Sequence, residues 1–361
     1  MKFARLMIEF VRHVAFNADG SISPRIKILE SCMRRYRASR DCLWLLLFLV
    51  MPWPVIAEDA NSFASLSLGY RLDALDWNIG GGNGGPNILS ELEWRDMDIV
   101  QLKGELSGTN VKGIYFRGFA DYGWVLDGLS QDSDFAGDNR SLEFSRSYSN
   151  VDGSRVRDLS GGLGLTFYTG ASDQYRIIPL IGFSYHGQQL RRQGGNQALW
   201  DSANYAIYDP GAVGSVPLGP FSGLDSSYDA EWYGPWLGAD VLLDLQEQGT
   251  VFVRLEGHWV NYYARANWNL RDDFAHPVSF EHESNGRGWV LELGWNSTPS
   301  RYRWAWGVTA SLQSWKANAG IDRTFVVDPT SPCYGYCEGR LNEVSWSSRS
   351  LNLSLSKAFS D

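Results

Sequence analysis

The chain has 361 residues, 44% of them hydrophobic, 14% aromatic and 20% charged, with 38 glycines and a formal net charge of −9. That length admits one large domain or two ordinary ones, and the glycine- and aromatic-rich composition points to a β protein rather than to alternating strands and helices. The acidic balance argues against a nucleic-acid partner, which would need a cationic surface.

The first hydrophobic run spans Leu43 to Ala57 and holds Pro52 and Pro54. Arg34, Arg35, Arg37 and Arg40 precede it, and Val55 and Ala57 place small residues at −3 and −1 of a cleavage site. Basic, then apolar, then small is the order of a secretory signal peptide. The alternative, a transmembrane anchor, needs about 20 apolar residues. Met33 stands directly before the basic run, so translation is expected to start there, with 1–32 an upstream extension. The expected division is 1–57, extension plus signal, and 58–361, one barrel domain. Residues 1–57 carry nine Lys/Arg and four Asp/Glu, which leaves 23 basic and 37 acidic residues in the mature chain, a net of −14. Such a balance suits loops in water and attracts cationic ligands.

After residue 57 no apolar stretch is long enough for a helical span, and a closed β-barrel is the other way to cross a membrane with every backbone group paired. Its signature is segments of alternating apolar and polar residues. Leu159, Leu163, Leu165 and Phe167 alternate with Ser160, Gly162, Gly164 and Thr166. Tyr233, Leu237, Ala239, Val241 and Leu243 oppose Trp232, Trp236 and Asp240, and Val251, Val253, Leu255 and Trp259 oppose Arg254, Glu256 and His258. The last segment sets Leu351, Leu353 and Leu355 against Ser350, Asn352, Ser354 and Ser356. Trp and Tyr near strand ends on the apolar phase suit interfacial girdles.

Ten antiparallel strands are expected, at 63–79, 88–106, 112–128, 155–168, 174–192, 228–245, 249–268, 287–297, 301–318 and 344–359. Short turns fall near 107–111, 169–173, 246–248 and 298–300; long loops fall near 80–87, 129–154, 193–227, 269–286 and 319–343. The fold class is therefore all-β: a ten-stranded antiparallel transmembrane β-barrel of a Gram-negative-type outer membrane. Short turns face the periplasm and long loops the outside. Outer-membrane lipid is one expected partner. Phe359, in phase with the leucines before it, suggests the barrel-assembly machinery as another.

Glu91, Glu93, Arg117, Asp121, His186, Arg254, Glu256, His258 and Glu292 fall on the expected inward phase. Ten strands leave little free bore, so these charges should pair into a plug, which counts against a wide porin. Cys333 and Cys337 lie in the last outer loop, and in an oxidising compartment they read as a small disulfide. A metal pair is the alternative and would need two more ligands nearby. The remaining cysteines, Cys32 and Cys42, precede the cleavage site. No cofactor is expected.

Several motifs now point to a family. Ile181-Gly-Phe-Ser-Tyr-His-Gly-Gln-Gln-Leu-Arg-Arg-Gln-Gly-Gly195 resembles the fifth strand of the omptins, surface endopeptidases of Gram-negative outer membranes, and Ser90-Glu-Leu-Glu-Trp94 resembles their second strand. Asn87-Ile-Leu-Ser-Glu-Leu-Glu-Trp-Arg-Asp96 and Gln131-Asp-Ser-Asp-Phe-Ala-Gly-Asp-Asn-Arg140 are closer still in texture to the Protochlamydia outer-membrane protein family, barrels thought to share the omptin fold. The resemblance covers most of 60–359 and implies an omptin-like barrel. In omptins an acid pair faces an Asp/His pair across a cleft, and together they activate water. Here Asp132 and Asp134 match the Asp-x-Asp in the second outer loop, and Asp273 and His276 lie in the fourth, three residues apart where the omptin pair is two apart. Asp272 is four residues from His276, and the surrounding omptin motif is absent.

Three readings of these four residues stay open: solvated loop residues, a hydrolytic site, or a cation loop to which Asp138 also belongs, though calcium wants more oxygens at regular alternate positions. Two functions follow. One is a non-catalytic barrel whose loops serve ligand binding, adhesion or narrow passage, with an extracellular peptide or host-surface ligand as partner. The other is a surface endopeptidase.

Overall fold

The computed structural model describes residues 61–359 apart from 83, 171–173, 211–214, 300 and 302. The expected signal peptide and Met33 start, with Cys32 and Cys42, lie outside the described residues. No helix among them is long and apolar enough to cross a membrane.

Fourteen strands form one sheet. They are β1 (Asn61–Gly80), β2 (Ser90–Thr109), β3 (Ile114–Gly137), β4 (Ser141–Asn150), β5 (Arg155–Leu165), β6 (Phe167–Thr169), β7 (Tyr175–Trp200), β8 (Gly219–Pro220), β9 (Asp225–Asp244), β10 (Thr250–Asn267), β11 (Phe280–Asn296), β12 (Trp304–Ala317), β13 (Gly320–Thr324) and β14 (Cys337–Phe359). β4 and β5 both lie between β3 and β7 as one broken stave, and β12 and β13 both lie between β11 and β14 as another. Ten antiparallel staves result. β1 closes the ring on β14 from Ser62 opposite Phe359 to Gly80 opposite Arg340. Closure leaves no unpaired edge in lipid.

The lipid belt is written in the even residues of β1 and the odd residues of β14: Leu66, Leu68, Leu353 and Leu355 are all more than half exposed. Trp124, Trp259 and Trp289 mark its upper girdle, and Phe167, Trp304, Trp306 and Phe359 its lower one. About 9–11 tilted residues suffice to cross a bilayer, yet β3 and β7 run for 24 and 26. The barrel therefore continues well above the membrane. The expected loop at 129–154 is mostly wall, with β3 and β4 joined by the short turn Asp138–Arg140. The expected loops at 193–227, 269–286 and 319–343 shorten in the same way, to 201–224, 268–279 and 325–336, the first with a small strand of its own, β8.

Three adjacent staves change phase at one level, just above the upper girdle. On β2 the inward residues are Glu105, Lys103, Gln101, Ile99 and Met97, then Trp94 and Leu92, with Asp96 in the left-handed region at φ 53°. On β3 they are Asp121, Gly123 and Val125, then Ser130 and Asp132. Gly128 holds this bulge at φ 152°, where an added Cβ would lie 2.8 Å from Val151 Cγ2. Between β4 and β5 the change falls at Asp152 and Gly153. A bulge adds one residue and turns the strand over, so each stave shows lipid and water different faces.

The interior has two layers. At membrane depth it is ionic. Arg117 pairs with Glu256 (2.7 Å) and Asp240 (3.1 Å), Lys103 with Glu292 (2.9 Å), and Arg254 with Glu105 (2.8 Å) and Glu292 (3.1 Å). Arg71 pairs with Asp73 (2.6 Å) and Asp158 (2.5 Å). Higher up it is a dry aromatic core built on Trp77, Trp94, Trp232, Tyr262, Trp315 and Trp346. Trp315 stacks on Trp346 with centroids 5.3 Å apart, and His186 and His258 pack on Trp315 at 4.5 and 4.7 Å, joining the two layers.

Candidate functional site at the outer mouth

The bulge at Gly128 decides where the acid pair points. Above it the even residues of β3 face inward, so Asp132 and Asp134 leave the wall and enter the mouth from a strand, not from the loop expected for them. Arg192 of β7 reaches across. Its Nη1 donates to Asp132 Oδ2 at 2.6 Å, its Nε to Ser149 Oγ at 3.2 Å and its Nη2 to Ser147 Oγ at 3.1 Å. Its guanidinium lies 5.6 Å from the Trp268 ring. Asp132 is thus a held, oriented acceptor.

Asp134 differs. Burial, then the adjacent charge of Asp132, push its carboxyl up to about 7, against the opposing pull of a hydrogen bond from Ser90 and the charges of Arg271 and Arg192. It lies close enough to Tyr208 that its charge, after burial, also raises that phenol. Tyr208 ends the helix Ser202–Tyr208 of the third outer loop, which Asp201 caps by accepting from the Ala203 and Asn204 amides at 2.9 and 3.0 Å. Tyr208 stacks on Phe144 at 5.4 Å, and Tyr205 packs on Trp200 at 4.8 Å. One wall of the mouth is therefore acidic and the third loop brings it an aromatic lid.

The fourth loop supplies Asp273 and His276, and each has its own partner. Arg271 grips Asp273 in a fork, Nε to Oδ1 at 2.8 Å and Nη2 to Oδ2 at 2.7 Å, which holds that carboxyl below the usual range. His276 Nδ1 lies 2.7 Å from Asn267 Oδ1. Arg271 also acts electrostatically on Asp134. Cys333 of the fifth loop is bonded to Cys337, the first residue of β14, with Cα atoms 5.2 Å apart.

The interior list needs two corrections. Glu91 and Glu93 do not enter the lumen: Leu92 and Trp94 do, and the acids face outward above the belt. Glu91 takes Arg140 and Glu93 lies 3.6 Å from Arg95. Nearby, burial and then the charges of Glu343, Glu91 and Glu93 push Asp76 up to about 6. Asp121, Arg117, His186, Arg254, Glu256, His258 and Glu292 do line the interior. Asp240 stood on the expected polar phase, but alternation alone missed the partners Arg71, Asp73, Lys103, Glu105 and Asp158. The odd phase of β1 and β2 below Met97 carries four of them. Tyr228 and His282 were also missed: Tyr228 Oη lies 2.5 Å from Tyr262 Oη and 2.8 Å from His282 Nδ1, and His282 Nε2 lies 3.3 Å from Asp322. Tyr228 Oη, Tyr262 Oη and His282 Nδ1 thereby satisfy one another inside the dry core.

The profile described as Pom, Protochlamydia outer membrane protein, matches residues 65–359. The chain belongs to that family. Family and fold together place it in the outer membrane. Among solved structures it is similar to the outer membrane protease OmpT of Escherichia coli, at 12% identity and a TM-score of 0.63, over 83% of this chain and 97% of that one. The translocator domain of the autotransporter NalP from Neisseria meningitidis (10% identity, TM-score 0.31, 89% and 96% covered) and OprG from Pseudomonas aeruginosa (9%, 0.31, 85% and 100%) are more distant barrels. The OmpT likeness is one of fold. No curated protein sequence matches the chain.

Proposed function

We propose that this family member is a closed outer-membrane barrel whose outer mouth binds a cationic segment of an extracellular peptide, without cleaving it. The observation that carries the reading is the position of Asp134. It faces the mouth beside a second carboxylate and next to Tyr208, a setting that suits an ammonium or guanidinium between an acid and aromatic faces. The filled interior supports closure, since paired charges and stacked tryptophans occupy the bore at two levels. The separate partners of Asp273 and His276 support the absence of hydrolysis, because a general base must reach the water it activates.

The test is an Arg/Lys-rich peptide titrated against refolded full-length protein by fluorescence anisotropy. Asp134→Asn should weaken binding roughly tenfold, the loss of one charge-assisted contact. Equal affinity for an acidic peptide of the same length would sink the proposal. A planar-bilayer recording should show no steady current.

Hydrolysis is the second reading, favoured by the inward acid pair in the same mouth as the fourth loop. It requires Asp273 to leave Arg271 and His276 to leave Asn267. A quenched peptide library assayed from about pH 5 to 8 tests it, with His276→Ala and Asp134→Asn as controls. Cleavage lost in both variants would favour it over binding alone.

A further inference from the structure

Asp121 is the carboxyl left over in the ionic layer. On the wall it stands directly opposite Asp158 of β5 on one side and Lys103 of β2 on the other. Like charges facing across strands repel. Asp158 escapes this by taking Arg71 at 2.5 Å and His186 Nδ1 at 3.1 Å. Lys103, the natural partner of Asp121, turns its ammonium to Glu292 at 2.9 Å and Glu105 at 3.7 Å. No ion pair among the described residues reaches Asp121, and its Oδ1 is buried without a hydrogen-bond partner.

Four other buried polar atoms without a hydrogen bond belong to residues lining the same cavity: Gln101 Oε1, His186 Nε2, Ser311 Oγ and Arg117 Nε, the last of these 3.1 Å from Asp240 Oδ2. Asp121 is 9% exposed, Gln101 and His186 2% and Ser311 5%. Arg117 Nε is turned to Asp240, and the other three can each offer a lone pair to the cavity. Gln101 Nε2 donates to Asn352 Oδ1 at 2.7 Å, which leaves Oε1 as an acceptor. His186 directs Nδ1 to Asp158, which in the neutral ring leaves Nε2 a lone pair. Two oxygens, an imidazole nitrogen and a carboxylate all face one cavity, whose room for water-sized bodies is about 20 Å³, enough for one or two. A neutral water gives only two protons and no charge.

We propose that this cavity binds one small monovalent cation of sodium size, held by Asp121 with oxygen from Gln101 and Ser311. A divalent ion would want a second free carboxylate, and every other carboxylate lining the cavity is already paired. The site is independent of the mouth.

The experiment is thermal unfolding of the refolded full-length protein in micelles, in sodium chloride and in tetramethylammonium chloride at equal ionic strength near about 0.1 M. Sodium should raise the midpoint by on the order of 2–4 °C, and Asp121→Asn should remove the difference. Equal midpoints in the two salts for the wild type, or a difference that survives Asp121→Asn, would overturn the site. So would a wild type indifferent to sodium but stabilised by acid, which would mean that a proton neutralises Asp121. Should Asp121→Asn not fold, Ser311→Ala and Gln101→Leu each serve in its place and should shrink the sodium effect. Broadening of the sodium NMR line by wild-type protein, relieved by lithium, is the direct readout; an unbroadened line counts against the site.

Discussion

Arg192 on β7 and Asp132 on β3 meet across the mouth at 2.6 Å, the arginine side chain 4% exposed and the aspartate 21%. Their bond ties two staves that are separated on the wall by β4. Arg192→Leu leaves Asp132 without its cation and strands Ser147 and Ser149. It should cost about 1–3 kcal/mol, read as a lower urea midpoint with an unchanged slope. The double variant Arg192→Leu/Asp132→Leu should recover part of that loss. No recovery would mean that packing on Trp268, not the ion pair, sets the cost.

Asp134 gives the mouth a pH signature. Its folded carboxyl titrates at about 7, above the usual 3.8. Raised in the folded state, it contributes stability that is fully present below the unfolded value and lost as pH rises through the folded one. Asp134→Asn should match the wild type near pH 3.8 and become the more stable of the two as pH climbs to about 7, with a plateau beyond. Unfolding midpoints across that window check it; parallel curves would refute the shift.

The wall phase can be tested at neighbouring residues. Leu353 is 60% exposed to lipid and Ser354 is turned inward and only half-buried. Leu353→Arg should cost about 2–4 kcal/mol near the midplane and Ser354→Arg less. Equal costs in a folding titration into vesicles would place the phase in error.

The aromatic layer should behave as a core and not as a gate. Trp315 is 1% exposed and touches Trp346, His186 and His258. Trp315→Ala should cost about 3–5 kcal/mol, the usual figure for an emptied aromatic site. It should still carry no steady current, because Lys103, Arg117 and Arg254 remain paired below. A stable conductance in that variant would show that Trp315 is the seal.

The ten staves, the four short turns and the lower half of the phase were legible because one rule governs them: apolar residues meet lipid, polar ones meet the lumen. Val251, Val253 and Leu255 against Arg254, Glu256 and His258 follow it. That rule fails above the girdle, where water lies outside and the interior is dry. There Leu92 and Trp94 point in and Glu91 and Glu93 point out, as in a soluble barrel. The long expected loops failed for the same reason: segments such as Ser130–Phe135 have no lipid-facing leucines to announce a strand. Asp132 and Asp134 were legible as an acid pair, but not the bulge at Gly128 that aims them, nor Arg192 that holds one of them.

The bulge line through Asp96, Gly128 and Gly153 also acts as a waterline. Just below it the outer surface carries Trp124 and Leu126; just above it come Glu93, Arg95 and Arg146. Sinking would drag the charged residues into hydrocarbon, and rising would lift the leucines into water. Each displacement is opposed on three neighbouring staves at once. The draught of the barrel is therefore fixed by the chain, and a bilayer of different thickness must bend to meet it.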